Sequence, residues 1–321
     1  MKGVAKRKVV VIGGGTGLSV LLRGLKKLPF DITAIVTVAD DGGSSGRIRD
    51  EFSIPPPGDI RNVIAALSDV EPLIEEMFQH RFDTGNGLTG HSLGNLIITA
   101  LTSITGDFTT AIQEMGKVLN VRGKVLPAAN QSVVLHAEME DGTIVTGESK
   151  IPLINKKINR VFLTPENVSP LRETIHAIKE ADLIIIGPGS LYTSILPNLL
   201  VPGIGEAVCQ ANAKKVYICN LMTQFGETVG FTASDHVRVL YDHMCTPFID
   251  TILVNHESVP NEIKKIYEAE LAKPVEYDVT RLEELGLNIL HDEIITFDNH
   301  LIRHKTDKVA QILYSLIHEE G

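Results

Sequence analysis

The stretch Val9–Gly17, VVVIGGGTG, decides how the chain is read. Val9 to Ile12 is an unbroken β-branched run, the pattern of a strand buried on both faces in a parallel sheet. Gly13, Gly14, Gly15 and Gly17 follow, and Leu18, Leu21, Leu22, Leu25 and Leu28 then recur at helical spacing. Strand, glycine turn and helix in that order aim backbone N–H groups and the positive end of a helix dipole at one point, where an anion can sit. Glycine lets a phosphate reach that backbone. Leu18 stands where a full G-x-G-x-x-G would place its last glycine, and no Gly-Lys-Ser/Thr follows, so the loop is not a P-loop. A nucleotide or phosphate is expected at Gly13, Gly14, Gly15, Thr16 and Gly17; a bare turn into a helix is the competing account.

Working outward, the 321 residues can bury a full core, and a net charge of −10 argues against a nucleic-acid-binding surface. Any anionic ligand must therefore be held by backbone N–H groups and a few basic side chains. Cys209, Cys219 and Cys245 are widely spaced with no Cys-x-x-Cys, as suits a reducing cytosol. No apolar run is long enough for a signal peptide or a spanning segment. The expected protein is cytoplasmic, with no membrane insertion, and a homodimer is the expected assembly.

Ile32 to Val38 reads as the next strand, ending in Asp40 and Asp41 before Gly42-Gly43-Ser44-Ser45-Gly46-Arg47. In a doubly wound sheet this segment lies beside the first glycine loop, at the edge where ligands bind. Either acid could bind a ribose or a Mg²⁺ ion, which takes one or two carboxylates plus phosphate oxygens. A solvated Asx turn is the alternative. Pro55-Pro56-Pro57-Gly58 delivers Asp59 to the start of a helix, where it is expected as the N-cap. After an amphipathic helix over 71–82, Asp83–Ser92 is a polar, glycine-rich loop. Leu93, Leu96, Ile97, Ala100, Leu101 and Ile104 have core spacing for the following helix, and His91 lacks a companion at zinc-ligand spacing.

Within 131–163 the period changes to that of strands, with a hairpin at Asp141-Gly142, so a small β excursion is expected. The parallel pattern resumes at Asp182–Ile186. Gly187-Pro188-Gly189-Ser190-Leu191-Tyr192-Thr193-Ser194 then opens a helix, a second glycine loop whose Gly187, Gly189, Ser190, Thr193 and Ser194 can meet a phosphate or sugar. The strand Lys215–Cys219 ends in a polar loop holding Asn220 and Thr223, before a helix with Ser234 as its cap. Another strand, Thr251–Val254, closes with Asn255-His256. Arg303-His304-Lys305 precedes the last helix as a candidate phosphate contact, Arg303 foremost. These repeats predict one α/β domain over residues 1–321, Rossmann-like, with a doubly wound and mostly parallel sheet.

The segments GGGTGLSVLLRGLK, VTVADDGGSSGRIR, PPPGDIRNVIAAL, GHSLGNLIITAL, GPGSLYTSILPNL and NLMTQFGETVGF occur in this order, and with them the chain resembles the gluconeogenesis-factor family of bacteria over nearly its whole length. A weaker, motif-by-motif resemblance connects it to the archaeal 2-phospho-lactate transferases, CofD. The first resemblance implies growth on gluconeogenic carbon, cell-shape and wall homeostasis, and a nucleotide ligand, a UDP-sugar or an NAD-type dinucleotide. The second implies Mg²⁺ at Asp41 and Asp59 and phosphates at the two glycine loops. Gly-Gly-Ser-Ser-Gly and GHSLGN depart from the transferase pattern, which weighs against the deazaflavin and phospho-lactyl substrates. Two functions are therefore expected in this order: a regulatory nucleotide-binding protein acting with an unidentified protein partner, and a Mg²⁺-dependent transferase of a nucleotide-activated phosphorylated substrate. Hydride transfer ranks below both.

Overall fold

The protein, analysed as a computed structural model, is described over residues 6–298 and 301–318. In chain order its strands are β1 (Arg7–Gly13), β2 (Phe30–Val36), β3 (Lys124–Pro127), β4 (Val134–Met139), β5 (Ile144–Thr146), β6 (Ile158–Thr164) and β7 (Leu183–Ile186). They continue with β8 (Lys214–Ile218), β9 (Thr251–Asn255), β10 (Asn288–Asp292), β11 (Ile295–Asp298) and β12 (Leu301–His304). The first six helices are α1 (Gly15–Leu25), α2 (Gly43–Phe52), α3 (Gly58–Leu67), α4 (Pro72–Gln79), α5 (Leu93–Thr105) and α6 (Phe108–Val118).

Seven strands form one sheet in the order β10-β9-β8-β7-β1-β2-β3, every neighbouring pair parallel. The chain winds outward from β1 through β2 to β3, then returns to the other side of β1 and winds outward through β7, β8, β9 and β10. That is the Rossmann arrangement with one strand added, and its switch point falls between β1 and β7. Because residues alternate across a strand, Val9 and Val11 face α1, α3, α6 and the helix Thr306–His318. Val10 and Ile12 face the other layer, which includes the helices Ile204–Gln210 and Ala233–Met244. Each large apolar side chain buried this way contributes roughly 1.5–3 kcal/mol. The β excursion is an antiparallel three-stranded sheet, β5-β4-β6, with its turn at Asp141–Gly142. β11 and β12 form a separate antiparallel pair.

Several local expectations change. β3 and β10 carry no strong strand signal; they are edge strands fixed by pairing with β2 and β9. Asp59 is not a helix cap: α3 begins at Gly58 after Pro57, and Asp59 lies inside its first turn. The helix Ala233–Met244 is capped by Thr232, whose side chain accepts the Asp235 N–H, while Ser234 donates to Asp278 at 2.5 Å. The largest change is in α5. Its buried positions are Gly94, Asn95, Ile98, Thr99 and Thr102; of the stripe expected in the core, Ile97 and Leu101 are half-buried against it, while Ala100 and Ile104 are exposed.

Asn198 connects the two halves. It is fully buried, and its Nδ2 donates to Gly13 O at 2.9 Å and to Ser194 O at 2.8 Å. It thereby binds the end of β1 to the helical segment after β7. Asn198→Ala removes two buried hydrogen bonds, one to Ser194 O and one to Gly13 O, which keeps the Thr37 N–H, at a cost of about 1–3 kcal/mol. Urea unfolding is expected to show a lowered midpoint with an unchanged slope.

Candidate functional site

The carboxyl ends of β1, β7 and β8 meet at the switch point, and a cleft of about 570 Å³ opens there. Gly14, Gly15, Thr16 and Gly17 line it on one side, and Gly189, Ser190 and Ser194 on the other. Asn220 and Thr223 line its floor. A contiguous recess of about 240 Å³ is lined by Thr16, Gly17, Tyr267 and Arg303. Arg303 has its Nε buried without a hydrogen-bond partner. Another cavity, about 520 Å³ and more apolar, lies at the opposite end of the sheet against Lys8, Thr33 and Lys124. It holds neither glycine loop, whereas both loops and their helix N-termini, which favour anions, lie on the first cleft.

The glycines have structural reasons as well as ligand ones. A Cβ on Gly17 would stand 2.8 Å from Pro188 O, so the two loops touch backbone to backbone. A Cβ on Gly14 would stand 2.7 Å from Asp59 Oδ2. Gly13 and Gly187 lie behind the loops rather than on the cleft wall, with Gly13 O engaged by Asn198.

Both loops already carry a protein carboxylate. Asp59 accepts the Gly15 N–H at the start of α1; burial, then the neighbouring Asp40 charge, pushes its carboxyl up to about 7. Glu227 accepts Tyr192 N–H at 3.1 Å and the Thr193 hydroxyl at 2.9 Å. Burial raises the Glu227 carboxyl despite those bonds. Thr193 is thus committed to Glu227 and is absent from the cleft wall.

The acid loop is covered by the β excursion. Asp41 Oδ1 accepts Ser149 N–H at 2.8 Å, and Asp40 Oδ1 accepts Gly42 N–H at 2.9 Å in an Asx turn. The same excursion turn brings Glu148 to the acids. Burial first, then Asp40, Asp59 and Asp41, push the Glu148 carboxyl up to about 8. Among the described residues, no three His, Cys, Asp or Glu side chains are grouped as a metal site. The opposite flank of the acid loop carries a buried polar set: Ser44 Oγ lies 3.0 Å from His91 Nδ1 and accepts from Asn95 Nδ2 at 3.0 Å.

Other cleft side chains escaped the sequence reading. Gln224 Nε2 donates to Ser190 Oγ at 2.9 Å, beside the expected Asn220, whose Nδ2 donates to Gly189 O at 3.0 Å. Both come from the quoted NLMTQFGETVGF segment, which also holds Glu227. Tyr267 and Glu148 had no sequence signal. His304, within the basic triplet, is half-buried on the wall of the cleft and its recess, with its Nε2 3.2 Å from Cys219 O. Burial lowers its pKa to about 4, so it is neutral and no phosphate-binding cation.

The fold and the cleft define a Rossmann-type α/β protein with a glycine-lined pocket at its switch point. The model of the family described as 2-phospho-L-lactate transferase CofD matches residues 9–295, and the chain belongs to that family. It is 68% identical to the gluconeogenesis factor of Bacillus subtilis (strain 168) over 314 residues, covering 98% of this chain and 99% of that one. It is 62% identical to the gluconeogenesis factor of Halalkalibacterium halodurans over 308 residues, with 96% of each covered. A crystal structure of a Bacillus halodurans protein superposes with a TM-score of 0.95 at 61% identity, covering 97% of this chain and all of that one. No helix among the described residues is long and apolar enough to cross a membrane.

Asp59 and Glu148 hold their protons to higher pH in the folded chain than their ordinary values of 3.8 and 4.5. As pH rises from those values to about 7 and 8, the unfolded chain binds fewer protons than the folded one, so stability falls. The protein is expected to melt at a lower temperature at about pH 8 than at about pH 6, and Asp59→Asn to flatten part of that slope. Thermal melts of both chains across the interval check this; parallel slopes would contradict it.

Proposed function

We propose that the protein is a regulatory protein that binds a nucleotide-linked ligand, a UDP-sugar or an NAD-type dinucleotide, in the switch-point cleft. In this reading Gly14–Gly17 with Gly189, Ser190 and Ser194 receive the phosphates, Asn220 and Thr223 meet the sugar, and Arg303 neutralises charge. The carrying observation is the convergence of both glycine loops on one cleft, with the orphaned Arg303 Nε in the adjoining recess. The relatives named gluconeogenesis factors support a role in growth on gluconeogenic carbon; cell-shape homeostasis and an unidentified protein partner complete the proposal.

A ligand that binds only the folded state raises Tm as RT ln(1 + [L]/Kd), so a panel of UDP-sugars and dinucleotides at millimolar concentration reveals even weak binding. A hydrogen bond to a charged group contributes about 1.5–3 kcal/mol, so Arg303→Ala is expected to weaken the ligand's Kd roughly 10- to 100-fold. Isothermal titration measures this. Binding untouched by Arg303→Ala, or absent for every nucleotide, would overturn the proposal.

A second reading, a Mg²⁺-dependent transferase, is favoured by the acids crowding the first loop and by the description of the matching family model. Mg²⁺ takes one or two carboxylates and completes its shell with phosphate oxygens and water. Asp41 and Asp59 would hold it, with Asp40 beside Asp59, and the ion would neutralise the carboxylate at the α1 N-terminus when phosphate binds. An enzyme should lose turnover in Asp41→Asn while still binding nucleotide. A sensor should show only a change of affinity, read by titration with and without Mg²⁺.

A further inference from the structure

The cavity of about 520 Å³ lies at the amino ends of β1, β2 and β3, across the sheet from the glycine loops. It exists because of how this layer is covered. On the Val10 face the β excursion shares a core with Ile35 and Ala128, toward the carboxyl ends of the strands. Helix α7 (Arg172–Lys179) meets β3 at that same end, where the Thr174 hydroxyl donates to Pro127 O at 3.5 Å. Val10, Thr33 and Leu126 are left as the floor of a hollow, with Ala177 of α7 on its wall. Leu126 is buried, yet among the described residues it joins neither of the two large cores.

Two donors share this floor. Strand register sets Thr33 beside Val10 on one side and beside Lys124 on the other, so all three side chains take one face. Thr33 is 8% exposed, and among the described residues its hydroxyl has no hydrogen-bond partner. A buried hydroxyl left unpaired is unfavourable, and a ligand that bonds it removes the penalty. Lys124 is exposed and has no ion-pair partner among the described residues. The other lining charges are placed differently. Lys8 pairs with Glu180 at 3.1 Å and has Asp31 as its register partner; Lys117 pairs with Glu114 at 2.6 Å; Glu173 and His176 stand exposed on α7. We propose that this cavity is a second ligand site, for a small carboxylic acid with an apolar body. The carboxylate accepts from the Thr33 hydroxyl and pairs with Lys124, while the apolar part lies on Val10, Leu126 and Ala177. A mainly apolar hollow with a few convergent polar groups is the usual form of a small-molecule pocket. The site is separate from the switch-point cleft and stands without the nucleotide reading.

Octanoate is the probe, with octylamine as its cationic counterpart, in ligand-observed NMR titrations on the full chain. Octanoate is expected to bind saturably with a Kd of about 1 mM or tighter, the scale that roughly ten heavy atoms reach. Octylamine is expected to bind more weakly. Thr33→Val keeps the side-chain shape and removes the hydroxyl, and it is expected to weaken octanoate roughly 10-fold. Lys124→Ala is expected to weaken it about 3-fold, as suits an exposed ion pair. Ala177→Leu fills the hollow and is expected to abolish saturable binding. Lys124 is exposed and the Thr33 hydroxyl bonds nothing, so both of those chains are expected to fold, which thermal melts check. Absence of saturable binding overturns the proposal, as does octylamine binding as tightly as octanoate. Affinity unchanged by Thr33→Val and Lys124→Ala also overturns it. So does octanoate binding that is lost in Arg303→Ala, because the acid then occupies the switch-point cleft.

Discussion

The structure depends on the closure of two glycine loops against each other across the β1/β7 switch point. Pro188 O lies where a Cβ of Gly17 would clash, and Asn198 holds Gly13 O and Ser194 O with one buried amide. These contacts set the separation of two helix N-termini and hence the width of the cleft. A side chain at Gly17 would push the loops apart, and loss of Asn198 would remove two buried hydrogen bonds, which is why the approach is tightly specified.

The closure creates an electrostatic problem that the fold answers with its own acids. Two helix N-termini aimed at one volume concentrate positive potential, and Asp59 and Glu227 occupy part of each. Asp40 and Glu148 then crowd Asp59 with like charge, which is unfavourable unless a proton or a cation is shared. The β excursion therefore does more than decorate the sheet. Its Gly147–Ser149 turn docks on Asp41 and delivers Glu148 to the acids, so it covers the acid loop.

Much of this was legible in the chain. β-branched runs ending in glycine, Asp, Asn or Ser announced strands and ligand loops, because buried parallel strands need continuous apolar residues and phosphate-facing turns need bare backbone. The excursion announced itself by its change of period and its Asp-Gly turn. The α5 stripe misled, since helical spacing reveals that one face is apolar and leaves open whether the same chain covers it. Asp59 misled for a related reason. An Asp opening a helix is ordinarily its cap, yet this carboxylate accepts from Gly15, forty-four positions earlier in the chain.

By itself the sequence determined the α/β class, the central strands with their glycine and polar loops, and the β excursion, all of which follow from local pattern and backbone sterics. Tertiary structure alone decided which loop residues face the cleft and which are spent on the fold. It placed Thr193 on Glu227, made His304 a neutral, half-buried donor, brought Tyr267 and Arg303 to the cleft from distant segments, and brought Glu148 to the acids. The physical reason is that contacts across the sheet set burial, proton affinity and hydrogen-bond partners, and no residue carries them in its local sequence.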